Sequence, residues 1–292
     1  MDIPTDIQDL NQHGGISAEL ISLVARRLAQ RDHKAVRAEV KALHAADLAD
    51  LIEALDAEQR VGLIAALGRS FDVEALAELD EAVRDELMSA LPPETIASAI
   101  RKLDTDDAVY LIEDLKRSEQ QEILAKVPAE DRTALSRALD YPEATAGRLM
   151  QTEFVAVPAF WTVGQTLEYM RTERELPENF AEAFVIDEQF HLKGTVPVSR
   201  ILRHPHERRI ASLMDEDATV FAVSDDQEDV AYKFEQYNLV SAAVVDADRR
   251  LVGMLMIDDI VDVIQEEAEE DILHLGGVGG GEAISGSVLF TI

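Results

Sequence analysis

Four groups of carboxylates stand out as residues whose type and spacing suit chemistry. Asp104, Asp106 and Asp107 lie together; Asp215, Glu216 and Asp217 are consecutive; Asp225, Asp226, Glu228 and Asp229 follow closely; and Asp258 through Asp271 holds eight acids in fourteen residues. All are hard oxygen donors, which suit Mg²⁺ or Ca²⁺ and disfavour zinc or copper. None has the D-x-D-x-D-G spacing of an EF-hand loop. The seven histidines are scattered with no H-x-x-x-H pair, and there is no cysteine. Thiolate catalysis, disulfides and zinc fingers are thereby excluded, and a reducing compartment fits. Acidic runs also serve as solvated faces, or as helix-start charges that suit the dipole. One cluster alone would read that way. Four clusters together, with no Lys or Arg after Arg250, leave neutralisation to ions or to another surface.

The whole chain has the same bias. With 58 acidic and 27 basic residues it carries a formal charge of −31. That balance repels phosphate backbones and anionic lipid, so nucleic acid is not an expected partner; cations and basic surfaces are. A phosphate-cradling G-x-x-x-x-G-K-[ST] loop, a G-x-S-x-G elbow and an H-E-x-x-H pair are all missing from the sequence, so no enzyme is expected. The N-terminal stretch has no basic and apolar signal pattern, and no apolar run reaches the ~18 residues of a membrane-spanning helix. The chain as given is expected to be soluble.

The last acidic group lies on a helical pattern. Ile257, Ile260, Val261, Ile264, Ala268, Ile272 and Leu275 recur at helical steps as one apolar stripe, while Asp259, Asp262, Glu266, Glu269 and Glu270 fall on another face. Like charges one turn apart destabilise a helix by about 0.2–0.5 kcal/mol per pair. Divalent cations would reverse that repulsion.

Two different textures must position these groups. With 292 residues and 47% hydrophobic content, two domains with real cores are expected. In the first half an apolar residue recurs every twelfth position: Leu43, Leu55, Leu67, Leu79, Leu91, Leu103, Leu115, Val127 and Leu139. A second apolar column keeps the same period, from Leu51/Ile52 and Leu63/Ile64 to Leu111/Ile112 and Ile123/Leu124. Pro92, Pro93 and Pro128 forbid one long helix. Asp104, Thr105, Ser118 and Asp131 read as N-caps. The pattern predicts short helices, each burying its stripe on its neighbours in a solenoid-like stack; a Leu-rich bundle is the plainer alternative. Ile16–Leu43 reads as one or two amphipathic helices.

Beyond Asp140 comes "YPEATAGRLM", then an order of elements that occurs twice. Phe154–Val157, a helix, Ala183–Asp187, a turn and Leu192–Val196 are followed by Thr219–Val223, a helix, Ala242–Asp246, a turn, Leu251–Leu255 and a helix. Asp187 precedes Gly194, and Asp246 precedes Gly253, by the same seven positions, and the copies lie 59 residues apart. This is an internal duplication of a β-α-β-β-α unit. Trp161 reads as a packing residue at a helix start and Arg148 as an anchor for domain contacts.

The duplicated unit resembles a tandem CBS pair. A helical domain, the linker, the pair and an acidic helix together resemble the cytosolic part of MgtE-type magnesium channels, whose linker reads Y-x-x-x-x-A-G-x-L-M. Tyr141, Ala146, Gly147, Leu149 and Met150 match it, as does "EEAEEDILHLGGV" the segment leading to that family's first membrane helix. The resemblance spans Leu43 to Val278. It implies an α plus α/β fold class: a right-handed-type stack of short helices, then a tandem CBS (β-α-β-β-α) pair and a C-terminal helix. The expected boundaries are a frayed tail over 1–15, the helical N domain over 16–140 and a linker over 141–152. CBS domain 1 over 153–206 and CBS domain 2 over 207–262 follow, then the connecting (plug) helix over 263–275 and a tail over 276–292.

The resemblance further implies a Mg²⁺-sensing regulatory region of a magnesium channel, with several Mg²⁺ ions per chain bridging domains and favouring a closed pore. Glu74, Asp106 and Asp107 would serve for the helical domain, and Asp226 and Glu228 for the second CBS domain. Asp259, Asp262, Glu267, Glu270 and Asp271 would lie on or lead into the plug helix. Asn238 stands where relatives can carry an acid, which weakens that bridge. CBS pairs also bind adenine nucleotides through an S/T-x-x-D signature. Here Ser199 lies near the aspartate position of the first copy, while the second has Asp258 and Asp259 but Met256 in place of the Ser/Thr. An ATP sensor is therefore an alternative, and an acidic adaptor for a basic partner is another. The resemblance also implies a homodimer through the CBS domains, and a transmembrane domain of the same protein beyond Ile292 that would hold this region at the cytoplasmic face of the cell membrane.

Overall fold

The computed structural model describes residues 16–174, 176–177 and 179–265. The chain forms two compact units. One contains Met1–Glu143, Met150–Val155 and Tyr169–Asn179; the other contains Ala144–Leu149, Ala156–Glu168 and Phe180–Ile292.

The first unit is helical. It holds α1 (Ala18–Ala29), α2 (His33–Val40), α3 (Ala45–Glu53), α4 (Ala57–Leu67), α5 (Glu81–Ala90), α6 (Pro93–Ile100), α7 (Thr105–Tyr110), α8 (Arg117–Leu124) and α9 (Ala129–Leu139), with two 3₁₀ turns at Gly68–Ser70 and Glu74–Leu76. The prolines act as predicted. Pro92 is the N-cap and Pro93 the first residue of α6, and Pro128 is the N-cap of α9. At these places the missing amide costs no helix bond. Asp56 caps α4 in a reciprocal box with Gln59. Three expected caps are corrected. Lys116 and Pro128 occupy the N-cap positions of α8 and α9, so Ser118 and Asp131 lie within first turns, and Thr105 is the first helical residue of α7 behind Asp104.

The twelve-residue rhythm is the core. Leu55, Leu67, Leu79, Leu91 and Val127 are buried, and Leu43, Leu103, Leu115 and Leu139 pack against the same cluster. Leu55, Leu91 and Val127 lie at or just past a helix end, where a short helix turns back. The second column lies within helices or a 3₁₀ turn, except for Leu111 and Ile112 just past the end of α7, and supplies residues with almost no exposure, among them Leu51, Ile52, Leu63, Leu76 and Ile112. Helices two apart in sequence pack together, α2 on α4, α6 on α8 and α7 on α9, as in a stack of short hairpins.

The second unit holds α10 (Ala146–Leu149), β1 (Ala156–Pro158), α11 (Val163–Thr172, whose last turn belongs to the first unit), β2 (Glu182–Ile186), β3 (Leu192–Pro197) and α12 (Val198–Leu202). A second set follows: β4 (Val220–Ala222), α13 (Gln227–Tyr237), β5 (Ser241–Val245), β6 (Leu251–Met256) and α14, residues 257–265. Each set forms a three-stranded sheet, β1-β2-β3 and β4-β5-β6, with the first pair parallel and the second antiparallel.

The duplication is visible bond by bond. The leading segment of each set docks on the other set. Ala146 N and Gly147 N donate to Asp225 O (2.8 Å) and Val223 O (3.0 Å), and Ile210 N and Ala211 N donate to Trp161 O (2.9 Å) and Ala159 O (3.1 Å). Residues 144–149 thus complete the second copy. The two hairpins meet through Leu192 N to Arg249 O (3.3 Å) and Leu251 N to Phe190 O (2.9 Å). The paired Asp residues close the turns. Asp187 Oδ1 accepts from the amides of Gln189 and His191, and Asp246 Oδ1 from those of Asp248 and Arg250. Loss of hydration opposes ionisation of Asp187, yet Lys193, these amides and His191 hold its carboxyl well below the usual range.

Gly194 is needed for a close approach. A Cβ there would clash with the carbonyl oxygen of Asp215, a residue that exchanges both backbone bonds with Thr195 in an isolated bridge. Backbone cannot yield as a flexible side chain can. Gly194→Ala is expected to destabilise the second unit by about 2–3 kcal/mol, read as a lowered denaturation midpoint.

Candidate functional site

The predicted cation ligands fall on helix starts. Asp106 and Asp107 form the first turn of α7, both half-buried, and Asp106 Oδ1 accepts from the amide of Asp107 at 2.9 Å. Glu74 is exposed at the start of a 3₁₀ turn. Asp226 caps α13, its Oδ1 accepting from Glu228 N at 3.0 Å, and both side chains are exposed. Asp258, Asp259 and Asp262 occupy α14. The Asp262 carboxyl is pushed up, first by loss of hydration and then by the charge of Asp258 one turn earlier. Glu267, Glu270 and Asp271 lie outside the described residues, as do the expected N-terminal tail, most of the plug helix and the segment after it.

Among the described residues no group of three or more His, Asp or Glu converges on one point. The donor set is all oxygen, as Mg²⁺ requires, and arranged in ones and twos. The structure brings Asp106 to Asp107 and Asp258 to Asp262, and it holds Asp226 beside Glu228.

The apolar stripe of α14 differs in detail from expectation. Ile260 is buried as predicted, but Val261 and Ile264 are 41% and 37% exposed, and Val263 is buried in their place. The packed face is therefore rotated from the one drawn from spacing. The first nucleotide candidate, Ser199, stands with Pro197, Arg200, Arg203 and His204 around an open recess of about 430 Å³. The second, Asp258, is exposed in the first turn of α14.

Two groups were missed by sequence reasoning. Glu153 bonds to the start of α7. Glu182 accepts from the hydroxyl of Ser241 at 2.9 Å. These last two occupy equivalent places in the duplication, 59 positions apart, so the repeat offset was the signal that could have found them. Burial pushes the Glu182 carboxyl up, and the charge of Asp215 adds to this; bonds from Thr195 and Ser241 oppose it. A raised carboxyl contributes most to stability below the ordinary glutamate value, and that contribution is lost as pH rises through the raised value. Glu182→Gln should therefore melt higher than the parent above neutral pH and lose that advantage in acid. Parallel melting curves across pH check this; unchanged pH dependence would refute it.

Three kinds of comparison bear on what carries this arrangement. The MgtE intracellular N domain profile matches residues 43–144, and the CBS domain profile matches 146–207 and 210–266. The magnesium transporter MgtE of Enterococcus faecalis is 33% identical over 150 residues, covering 51% of this chain and 33% of that protein. The Thermus thermophilus magnesium transporter MgtE is 36% identical over 138 residues, 47% of this chain and 31% of that protein. The chain thus spans about a third of the length of these relatives. A crystal structure of the soluble part of a magnesium transporter superposes with a TM-score of 0.76 at 26% identity, over 86% of this chain and 98% of the other. The cytosolic domain of the Mg²⁺ channel MgtE in complex with ATP gives 0.76 at 27% identity, over 83% and 99%. No helix among the described residues is long and apolar enough to cross a membrane. The chain carries an MgtE intracellular N domain followed by a tandem CBS pair.

Proposed function

We propose that this MgtE N domain and CBS pair form the cytosolic Mg²⁺-sensing region of a magnesium channel, held at the inner face of the membrane by a transmembrane domain of the same protein. The likeness over 86% of the chain to the soluble part of a magnesium transporter carries the reading. The carboxylates give it a mechanism. Asp106 and Asp107 with Glu74 on one domain, and Asp226, Glu228, Asp259 and Asp262 on the other, share Mg²⁺ when it is abundant. Glu267, Glu270 and Asp271 extend the acidic run. Sharing favours a compact, closed state; when Mg²⁺ falls, unscreened carboxylates repel and the pore is released. A second copy fits this role, for α13 exposes Tyr232 and Tyr237 at 61% and 57%. Titration with Mg²⁺ at fixed ionic strength, followed by small-angle scattering and protease resistance, tests the reading. Compaction in the millimolar range is expected, and no change up to tens of millimolar would overturn it.

A second ligand has its own support. A relative 27% identical is known in complex with ATP, and the recess beside Ser199 offers Arg200, Arg203 and His204 to an anion. Calorimetry with ATP separates this from a purely ionic sensor: saturable heat supports it and none excludes it.

A further inference from the structure

The acidic turn of α7 is capped by a residue far away in sequence. Asp104 occupies the N-cap position with extended backbone, but its side chain makes no capping bond. Glu153 supplies the acceptor instead. Its Oε2 accepts from the backbone amide of Thr105 at 3.2 Å and from that of Thr152 at 3.0 Å, while its Oε1 accepts from the Thr105 hydroxyl at 2.8 Å. The Thr152 hydroxyl reaches Thr105 Oγ1 at 2.7 Å and Glu153 Oε1 at 3.3 Å. Thr105 is buried, while Thr152 and Glu153 are half-buried. There is thus a three-bond clasp between the first residue of α7 and the segment Met150–Val155.

A helix of six residues is not stable alone, because nucleation costs more than so few bonds return. Its orientation must come from its contacts. At its other end Tyr110 stacks under the guanidinium of Arg84. At its start, where Asp106 and Asp107 lie, the clasp through Glu153 fixes the amide and the hydroxyl of Thr105. A carboxylate there also suits the dipole, and it accepts at both oxygens, whereas an amide side chain has one acceptor oxygen and one donor nitrogen. The same segment follows directly on Ala144–Leu149, which belongs to the other unit. The chain therefore reaches the clasp straight from the CBS pair.

We propose that Glu153 is the positioning residue for the Mg²⁺-binding turn of α7. Through Thr105 it holds Asp106 and Asp107 in the orientation that binds the ion. This rests on the reading of the chain as a Mg²⁺ sensor, and its test uses the full 292-residue chain. Glu153→Gln should lower the ratio of compact to open forms at a fixed Mg²⁺ concentration about fivefold and speed hydrogen exchange at residues 105–107 by a similar factor, the scale of a lost cap. Thr105→Val should shift both in the same direction, whereas Thr105→Ser, which keeps the hydroxyl, should stay close to the parent. A lower melting temperature with an unchanged Mg²⁺ midpoint would mark a merely structural residue and overturn the proposal. If Glu153→Gln fails to fold, the two Thr105 variants decide alone: equal Mg²⁺ midpoints for Val and Ser overturn it. If the parent chain shows no Mg²⁺ response while Glu153→Gln still speeds exchange, the sensor reading fails and the clasp stands as a structural cap only.

Discussion

Asp106→Asn and Asp259→Asn are each expected to lower the ratio of compact to open forms about tenfold at a fixed Mg²⁺ concentration, and the double variant little further. A site at ten times its dissociation constant contributes RT ln 11, about 1.4 kcal/mol, to the state that binds. Four such sites contribute on the order of 5–6 kcal/mol, enough to move a two-state equilibrium from 1:99 to 99:1. Removing one site therefore costs about a tenfold change in the ratio of compact to open forms. If the two aspartates share one ion, either substitution removes that site, and the second adds nothing. If they bind separate ions, their effects add. The cycle thus tests sharing without assuming a geometry. Ionic strength must be held constant, because a chain with net charge −31 also contracts by simple screening. Equal response of all four proteins would remove both residues from the sensor.

Much of the fold was legible because its physics is local and repeated. The twelve-residue rhythm forces each short helix to hide the same two columns, so Leu55, Leu67 and Val127 could be placed in a core before any contact was known. Pro92, Pro93 and Pro128 ruled out one long helix for steric reasons that need no tertiary context, and the structure puts each at a helix start. The strands followed from β-branched runs and from the 59-residue offset. What failed was fine. Ser118 and Asp131 have capping chemistry, but Lys116 and Pro128 have the extended backbone at the two helix starts. Val263 took the buried place expected of Val261 and Ile264, because a short apolar helix shows several possible seams and packing selects one.

The carboxylates of the candidate site stand out in the sequence, and their supports do not. Acid clusters at α7, α13 and α14 announce themselves by composition. The residues that orient them do not. Glu153 meets Thr105 across 48 positions through a fold that sequence spacing cannot measure. Exchange of the leading segments between the two CBS copies was equally hidden, because Ala146–Leu149 reads as a linker until its amides are seen bonding to Asp225 and Val223.

Arg84→Ala is the substitution expected to cost most in stability, about 3 kcal/mol in the first unit. Its side chain is 3% exposed, with Nη2 2.5 Å from Asp114 Oδ2 and 3.3 Å from Asp85 Oδ1, and its guanidinium lies 4.1 Å from the centre of the Tyr110 ring. Burial alone would lower its proton affinity; Tyr110, Asp114 and Asp85 outweigh that and raise it, so the group stays charged. The two acids are about half exposed, so water can solvate them once the arginine is gone. The loss therefore lies mainly in the buried stem and the ring contact rather than in an orphaned partner. Arg84→Met, which refills the space, should recover much of the loss and cost about 1 kcal/mol. Arg84→Lys keeps the charge but not the planar fork, and should fall between the two. Denaturant unfolding read separately for the two units checks this, because only the helical transition should move. A methionine variant as unstable as the alanine one would show that the ion pairs, not the packing, hold this end of α7. The methionine variant then also serves function: Tyr110 ends the helix that carries Asp106, so a Mg²⁺ midpoint restored along with stability would tie the response to the placement of that helix.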